Sequence, residues 1–313
     1  MRRADKLKEI FQIQKKFNDY FYDVENLSFE EKEEITKSLS LALHAEVSDL
    51  VSALNYKAHK VQRKDIQLDK ILYESVDIVR YVVAILNLWN FNSSDFESAF
   101  VDKDLYLNSN LKRSQEAWDG QPVIIVDLDD VVIKFREGFI RWLGKEFDIY
   151  PDLNSKEYYT TRAVKKAGLN PERVFAEFIK NRGLRDLLQD QQMIDAINNL
   201  KEEGYWIQLL TARPSEELTC LYDTYWWVKT FGLSYDRLDF STEKYRWCAQ
   251  SEYFDKGSIV CAIDDSPKHA AEYAKHGIPV FLPAQKYNVE VHDMKNVNVF
   301  SDSDEMVERI KRL

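Results

Sequence analysis

The chain has 313 residues, 45% of them hydrophobic, with only nine glycines and seven prolines, which is enough apolar material for two cores and excludes general disorder. Its formal net charge of -10 would repel a polyphosphate backbone, so stable nucleic-acid binding is not expected, whereas a small phosphate bridged by a cation is compatible with it. Three cysteines, Cys220, Cys248 and Cys261, form an odd set without ligand spacing, the first residues lack an apolar signal region, and the longest apolar stretch, around Tyr81 to Trp89, is too short for a bilayer. A cytoplasmic protein without a disulfide framework or membrane attachment is expected.

From Ala4 to about Trp89 there is neither proline nor glycine, and apolar residues recur at helical spacing: Leu39, Leu43, Val47, Leu50 and Leu54, then Ile71, Ile78, Val82 and Leu86. The spacing predicts an all-α segment. Ser28, with Glu31 three residues on, predicts a capped helix start, and a loop around Gln62 to Gln67 separates two helices that carry acidic pairs.

Those pairs are Glu46-x-x-Asp49 and Glu74-x-x-Asp77. Residues three apart share a helix face, so each pair presents two carboxylates to one side, and antiparallel packing would gather all four. Such a cluster is unfavourable without a cation, and hard oxygen ligands select Mg²⁺ or Mn²⁺, which can activate water against a phosphoryl group. A lone ExxD is usually the solvated face of a helix. Here Glu46 lies between Ala45 and Val47, and Asp77 runs directly into Ile78-Val79-Arg80-Tyr81-Val82-Val83, so both pairs border a core.

With these residues the segment resembles the all-α nucleoside triphosphate pyrophosphatases, the MazG and dimeric dUTPase group, over about residues 1–118. The resemblance implies that Glu46, Asp49, Glu74 and Asp77 bind Mg²⁺ and that an NTP or dNTP is cleaved to its monophosphate and pyrophosphate. Asp49 departs from the group's ExxE, shortening one ligand arm. Lys103, Asn108 and Arg113 fall where the group carries phosphate contacts, Lys103 being the substrate-binding candidate, and Lys57 and Lys60 could help to neutralise a triphosphate. Relatives are dimers or tetramers, so a homo-oligomer formed through residues 1–118 is expected.

Asp119-Gly120-Gln-Pro122 breaks the helical pattern and marks a domain boundary near residue 120. Beyond it, residues 121–313 alternate apolar strands (Val123 to Val126, Tyr205 to Leu210, Ile259 to Ile263, Pro279 to Leu282) with helical patterns, which predicts a Rossmann-like α/β domain with a parallel sheet. The stretch from about 139 to 190 is helical and aromatic, with Trp142, Tyr158, Tyr159, Phe175 and Phe178, and reads as an inserted helical cap over the substrate.

The first strand ends in Asp127-Leu-Asp129-Asp130, placing two carboxylates where α/β sheets bind ligands. An aspartate there can attack phosphorus, and a second one two residues on can protonate the leaving oxygen and then deprotonate water. Asp264-Asp265 after a later strand offers metal ligands, and Thr211 can hydrogen-bond phosphoryl oxygens.

This motif set resembles the haloacid dehalogenase-like (HAD) phosphatases over about residues 121–290. The resemblance implies Asp127 as nucleophile, Asp129 as general acid/base, Thr211 as phosphate anchor, and Asp127, Asp129, Asp264 and Asp265 around Mg²⁺. Lys244 rather than Lys256 stands where the superfamily places its phosphate-neutralising cation.

The run Asp127-Leu-Asp129-Asp130-Val-Val-Ile-Lys-Phe135-Arg-Glu-Gly138-Phe139 is similar to the 5′(3′)-deoxyribonucleotidases, as is Asp223-Thr-Tyr225-Trp-Trp227-Val. That likeness implies Phe135 as a platform for the nucleobase, and Arg213 joins it as a substrate-binding candidate. Asp130 stands where those enzymes carry Gly, and Thr224 where they carry a Lys. The expected activity is therefore a bifunctional nucleotide hydrolase. The alternative is a HAD phosphatase acting on a polynucleotide end or a sugar phosphate, with the helical segment only an oligomerisation module.

Overall fold

The computed structural model describes residues 5–54, 66–115, 117–157 and 160–313, the side chains at 110 and 112–115 excepted. The chain divides into two compact units, Met1–Val101 and Asp102–Leu313.

The first unit is helical. Helix α1 (Lys6–Asn18) is capped by the Asp5 carboxylate, which accepts from the Lys8 amide at 3.1 Å. Helix α2 (Phe29–Ser52) begins with the expected capping box: the Glu31 amide donates to Ser28 Oγ and the Ser28 amide to Glu31 Oε2. Helix α3 (Leu68–Leu88) runs antiparallel to α2, since Lys70 at its start reaches Ser52 at the end of α2, while Trp89 just past its end donates to Thr36 near the start. Helix α1 lies on α3 through buried polar contacts: Asn18 donates to the Ala84 carbonyl, and Asn87 to that of Phe11. Helix α4 (Ser93–Gln115) leads out of this unit. Among the described residues the buried apolar set is small, Phe11, Val24, Ala53, Val83, Ala84 and Leu88, and α2 contributes no buried residue at all.

The division between the units falls inside α4, earlier than the glycine break near residue 120. Asp102 is the reason: it is buried against Arg182, at 2.7 Å, and Arg185, and one turn later Tyr106 packs edge-on against Tyr225.

The second unit is built on a six-stranded parallel sheet. Its elements are β1 (Val123–Val126), α5 (Phe135–Phe147), α6 (Thr161–Lys166), α7 (Pro171–Lys180), α8 (Gln191–Glu202), β2 (Trp206–Thr211), α9 (Leu218–Thr230), β3 (Arg237–Phe240), α10 (Lys244–Ala249), β4 (Ile259–Ile263), α11 (Pro267–Lys275), β5 (Val280–Pro283), β6 (Val297–Phe300) and α12 (Ser303–Ile310). The strand order is β3-β2-β1-β4-β5-β6, so the chain reverses direction across the sheet between β1 and β4. The crevice beyond the carboxyl ends of strands at such a reversal is where open α/β sheets bind ligands. β1 and β2 are buried throughout because helices cover both faces.

An excursion of helices α5 to α7 leaves and rejoins the sheet at one neck. There Ile133 bridges to Gln189, Lys134 donates to the Leu188 carbonyl, and Asp190 donates to that of Val132. The cap therefore starts a few residues before the expected 139 and returns close to 190. Phe139 stacks on Trp142 (5.9 Å, 14°) and meets Phe178 edge-on at 5.0 Å, so aromatic packing fills the excursion, in a core continuous with one face of the sheet. Tyr158 and Tyr159 lie outside the described residues.

Candidate active site

In the helical unit, Glu46 from α2 and Glu74 and Asp77 from α3 each offer a carboxylate oxygen within 4.8 Å of the others. The antiparallel packing of α2 on α3 creates this convergence. Desolvation, followed by the charges of Asp77, Glu74 and Asp49, raises the Glu46 pKa, the mark of a carboxylate crowded by like charge. Of the four expected carboxylates only three come together. Asp49 is exposed and contributes least to the shift of Glu46, in keeping with a side chain one methylene shorter than the Glu of the related pattern. Lys70 sits at the edge of the cluster, 3.9 Å from Glu74. Three crowded hard-oxygen donors with one distant lysine fit a divalent cation.

Lys103 is engaged elsewhere: its ammonium bonds the Tyr222 hydroxyl at 3.3 Å and lies over the rings of Tyr106 and Tyr222. Asn108 bonds Asp104 within its own helix. Lys57 and Lys60, and the Arg113 side chain, lie outside the described residues.

In the second unit, β1 and β4 are neighbours in register, Val126 beside Ile263, so the residues that follow them meet at the crevice. Asp127, Asp264 and Asp265 converge there, all three buried, with oxygens within 4.8 Å of one another. Lys244, at the start of α10 and 1% exposed, wedges between two of them, 2.8 Å from Asp127 and 2.7 Å from Asp264. Burial opposes its charge, but the two carboxylates overcome that and raise its pKa. Lys256 has no part in this site and bonds the Tyr245 hydroxyl instead.

One ammonium does not neutralise three carboxylates. Burial pushes the Asp127 pKa up to about 6 against the pull of Lys244, and burial with the charges of Asp130, Asp127 and Asp264 holds Asp265 well above the usual range. Both Asp264 oxygens are taken, one by Lys244 and one by the Ser266 amide. Asp265 gives Oδ2 to the Tyr287 hydroxyl and keeps Oδ1 buried with no partner among the described residues. A buried orphan oxygen beside two further carboxylates fits a divalent cation bound through Asp265 Oδ1 and Asp127.

Asp129 is not in this group. Its carboxylate turns away to a two-pronged ion pair with Arg213, Nε–Oδ2 2.9 Å and Nη2–Oδ1 2.6 Å. Arg213, expected to meet substrate, thus orients Asp129, and its third nitrogen donates to Thr224 Oγ1 at 3.0 Å. Thr224 serves as a buried acceptor for this arginine. Thr211 is fully buried at the end of β2, where its hydroxyl accepts from the Arg213 backbone amide at 3.4 Å.

Asp130 has a role that sequence reasoning missed. Its φ of 52° is the left-handed conformation that glycine adopts most readily, and aspartate is among the few side chains that tolerate it. Its Oδ1 accepts from the Arg136 amide at 2.9 Å, supplying the start of α5 with the cap that Lys134 does not give. Burial raises its pKa from 3.8 to about 7. The folded state therefore holds this proton more tightly than the unfolded chain, and stability falls as pH rises from about 4 through 7. Asp130→Asn keeps the cap and removes the charge, so it is expected to raise stability at pH 8 by about 1–2 kcal/mol and leave pH 4 nearly unchanged, as read by thermal melts at the two values.

A cavity of about 540 Å³ joins these residues to the cap. Asp127, Asp129 and Arg213 line one side, and Phe135, Phe139 and Phe175 another. Phe135 both faces this space and packs edge-on against Phe178, so its ring belongs at once to the cap core and to the cavity wall. Among the described residues no helix is long and apolar enough to cross a membrane.

Solved structures similar to this chain include a predicted phosphatase from Clostridium acetobutylicum, 16% identical with a TM-score of 0.48, covering 62% of this chain and 100% of its own. Others are a D,D-heptose 1,7-bisphosphate phosphatase from Burkholderia thailandensis (11%, TM-score 0.38, 62% and 100%) and a HAD-superfamily hydrolase of subfamily IA from Geobacter sulfurreducens (12%, TM-score 0.42, 62% and 100%). No curated protein matches. The family model described as dUTPase matches residues 6–174, a span that holds the acidic helices, continues through β1 and Asp127 and takes in more than half of the chain. Matched over that length, with Glu46, Glu74 and Asp77 gathered inside it, the chain belongs to the dUTPase family.

Proposed function

We propose that the protein is a Mg²⁺-dependent nucleotide hydrolase with two sites, the helical unit cleaving an NTP or dNTP to a monophosphate and pyrophosphate and the α/β unit releasing phosphate from a nucleoside monophosphate. The observation that carries this reading is the gathering of carboxylates at two separate places, Glu46 with Glu74 and Asp77, and Asp127 with Asp264 and Asp265. Mg²⁺, held by either set, neutralises phosphoryl oxygens and makes nearby water more acidic.

At the α/β site Asp127 is the member of its group that follows β1, and one of its oxygens already accepts from the Leu128 amide, which fixes the carboxylate's direction. Its attack on phosphorus forms an acyl phosphate as the bond to the leaving oxygen breaks. Asp129 then protonates that oxygen and afterwards takes a proton from the water that attacks the acyl phosphate, returning Asp127 and releasing phosphate. In the structure Asp129 is held by Arg213; an incoming phosphate dianion offers the guanidinium a second anion, and the shift from Asp129 to phosphate frees Asp129 to carry the proton. Lys244 stays beside Asp127 and balances charge on the phosphoryl oxygens. The aromatic wall of Phe135, Phe139 and Phe175 suits a nucleobase better than a sugar phosphate. The test is product chromatography on panels of NTPs, dNTPs and monophosphates: pyrophosphate from Asp127→Asn but not Glu74→Gln supports the division, and loss of both reactions in either variant contradicts it.

We also propose that the helical unit self-associates. Its α2 buries nothing, and Leu41, Leu72, Tyr73 and Val76 on α2 and α3 are exposed, a surface too apolar for solvent. Light scattering at micromolar concentration should give a mass at least twice that of the chain, and Leu41→Glu with Leu72→Glu should lower it. A monomeric mass for the unaltered chain is the contrary result.

A further inference from the structure

The first turn of α11 carries polar groups that the two reactions leave unused. Ser266 is the N-cap residue, yet its hydroxyl caps no amide, and Pro267 at the next position has no N–H to satisfy. The open donors of this nine-residue helix are therefore the amides of Lys268 and His269. His269 is 7% exposed, and its buried Nδ1 has no hydrogen-bond partner among the described residues. Ser266, Lys268 and His269 all line the cavity that holds Asp127 and Arg213.

An unpartnered buried nitrogen in a native fold calls for an explanation, and here it stands beside a helix start with free amides. The turn also carries the positive end of the helix dipole. Lys268 adds an ammonium whose nearest carboxylate is Glu243 at 3.6 Å, both side chains being well exposed, so that pairing leaves its charge open to another anion. The opposing charges at His269 are Asp127 and Glu243, and Asp129, Asp130 and Glu172 also line the cavity. Burial keeps the imidazole neutral, which leaves it one donor nitrogen.

We infer that the first turn of α11 is an oxyanion subsite of the cavity, in which the Ser266 hydroxyl, the Lys268 and His269 amides and the His269 imidazole hold oxygens of a phosphoryl group. Backbone amides at a helix start together with a serine and an imidazole match the tetrahedral array of phosphate acceptors. Two sources share this chemistry: the inorganic phosphate set free at Asp127, and a second phosphoryl group on the nucleotide, as in a nucleoside 3′,5′-bisphosphate. The inference rests on the proposed reading for what enters the cavity, but its test reads binding and not turnover.

The full chain carrying Asp127→Asn, with Mg²⁺ present, is titrated calorimetrically with inorganic phosphate, a deoxynucleoside 5′-monophosphate and the corresponding 3′,5′-bisphosphate. Adding His269→Leu or Ser266→Ala is expected to weaken phosphate binding about tenfold or more, or to abolish an advantage of the bisphosphate over the monophosphate, with His269→Asn recovering part of the loss. A loss for phosphate identifies the product as occupant, and a loss confined to the bisphosphate identifies a second phosphoryl group. Lys268→Glu, an exposed change that spares the core, should weaken the same ligand even if the buried variants fail to fold. Unchanged affinities in folded variants, or no saturable binding of any of the three ligands, would overturn the inference. Failure of the unaltered chain to hydrolyse monophosphates would instead count against the proposed phosphatase reaction.

Discussion

Lys244→Met is expected to cost the α/β unit about 3–5 kcal/mol and to abolish phosphate release without removing pyrophosphate formation. The ammonium is buried between Asp127 and Asp264, and no other cation lies within bonding distance of either carboxylate among the described residues. Removing one partner of a buried ion pair leaves its counter-charges unpaired in a medium that solvates them poorly, which is why such truncations are among the most damaging. The methionine fills the space, so the loss is electrostatic and not a cavity effect. For a unit of this size the melting temperature should fall by roughly 10 °C without metal. Part of that loss should return on adding Mg²⁺, since a cation at Asp127 and Asp265 relieves the same repulsion. Thermal melts with and without Mg²⁺, beside phosphate and pyrophosphate assays below the transition, check all three statements. A variant as stable as the parent and fully active would show that Lys244 neither balances the site nor assists the reaction.

The second large effect is expected of Asp127→Asn, and it has opposite signs for activity and stability. A carboxamide cannot form the acyl phosphate, so phosphate release should fall by about four orders of magnitude, comparable to losses on removing a nucleophile. Stability should not fall with it. The ordinary carboxyl pKa of 3.8 is pushed up to about 6 in the folded chain, so the folded state binds this proton more tightly than the unfolded one. Ionisation therefore destabilises the fold as pH rises between about 4 and 6, and the penalty stands in full above 6. Asparagine keeps an oxygen for the Leu128 amide and removes that penalty, so the metal-free variant should melt higher than the parent at pH 8 and alike at pH 4. Measured phosphate release near the parent's rate would exclude Asp127 as nucleophile.

Much of the α/β unit was legible because its central strands announce themselves. Val123 to Val126 and Ile259 to Ile263 are continuous apolar runs, which only strands buried on both faces require, and each ends in the aspartates that meet in space. The outer strands were not legible. β3 reads Arg-Leu-Asp-Phe and β6 Val-Asn-Val-Phe, four residues each with polar positions, as strands at a sheet's margin can be; their assignment depends on neighbours that no local pattern supplies.

The site divides in the same way. Residues fixed by a strand end, Asp127, Thr211, Asp264 and Asp265, could be placed by the periodicity that precedes them. Partnerships between side chains could not. That Asp129 turns to Arg213, that Thr224 accepts from that arginine, and that Asp130 caps α5 all depend on the crossing of elements many residues apart. Asp130 and Thr224 each left a trace, as departures from the nucleotidase-like pattern, and the positive φ is the physical meaning of the first. In the helical unit, spacing three along a helix rightly put Glu74 and Asp77 on one face, but it could not say that Asp49 is exposed while Glu46 turns inward.

The central claim is that this chain gathers divalent cations at two separate sets of carboxylates. Counting bound Mn²⁺ by the loss of its free-ion resonance tests it most directly, on the unaltered chain, on Glu74→Gln and on Asp265→Asn. Two classes of site in the parent are predicted, with each variant losing one class and keeping the other. A count that neither substitution changes would contradict the account.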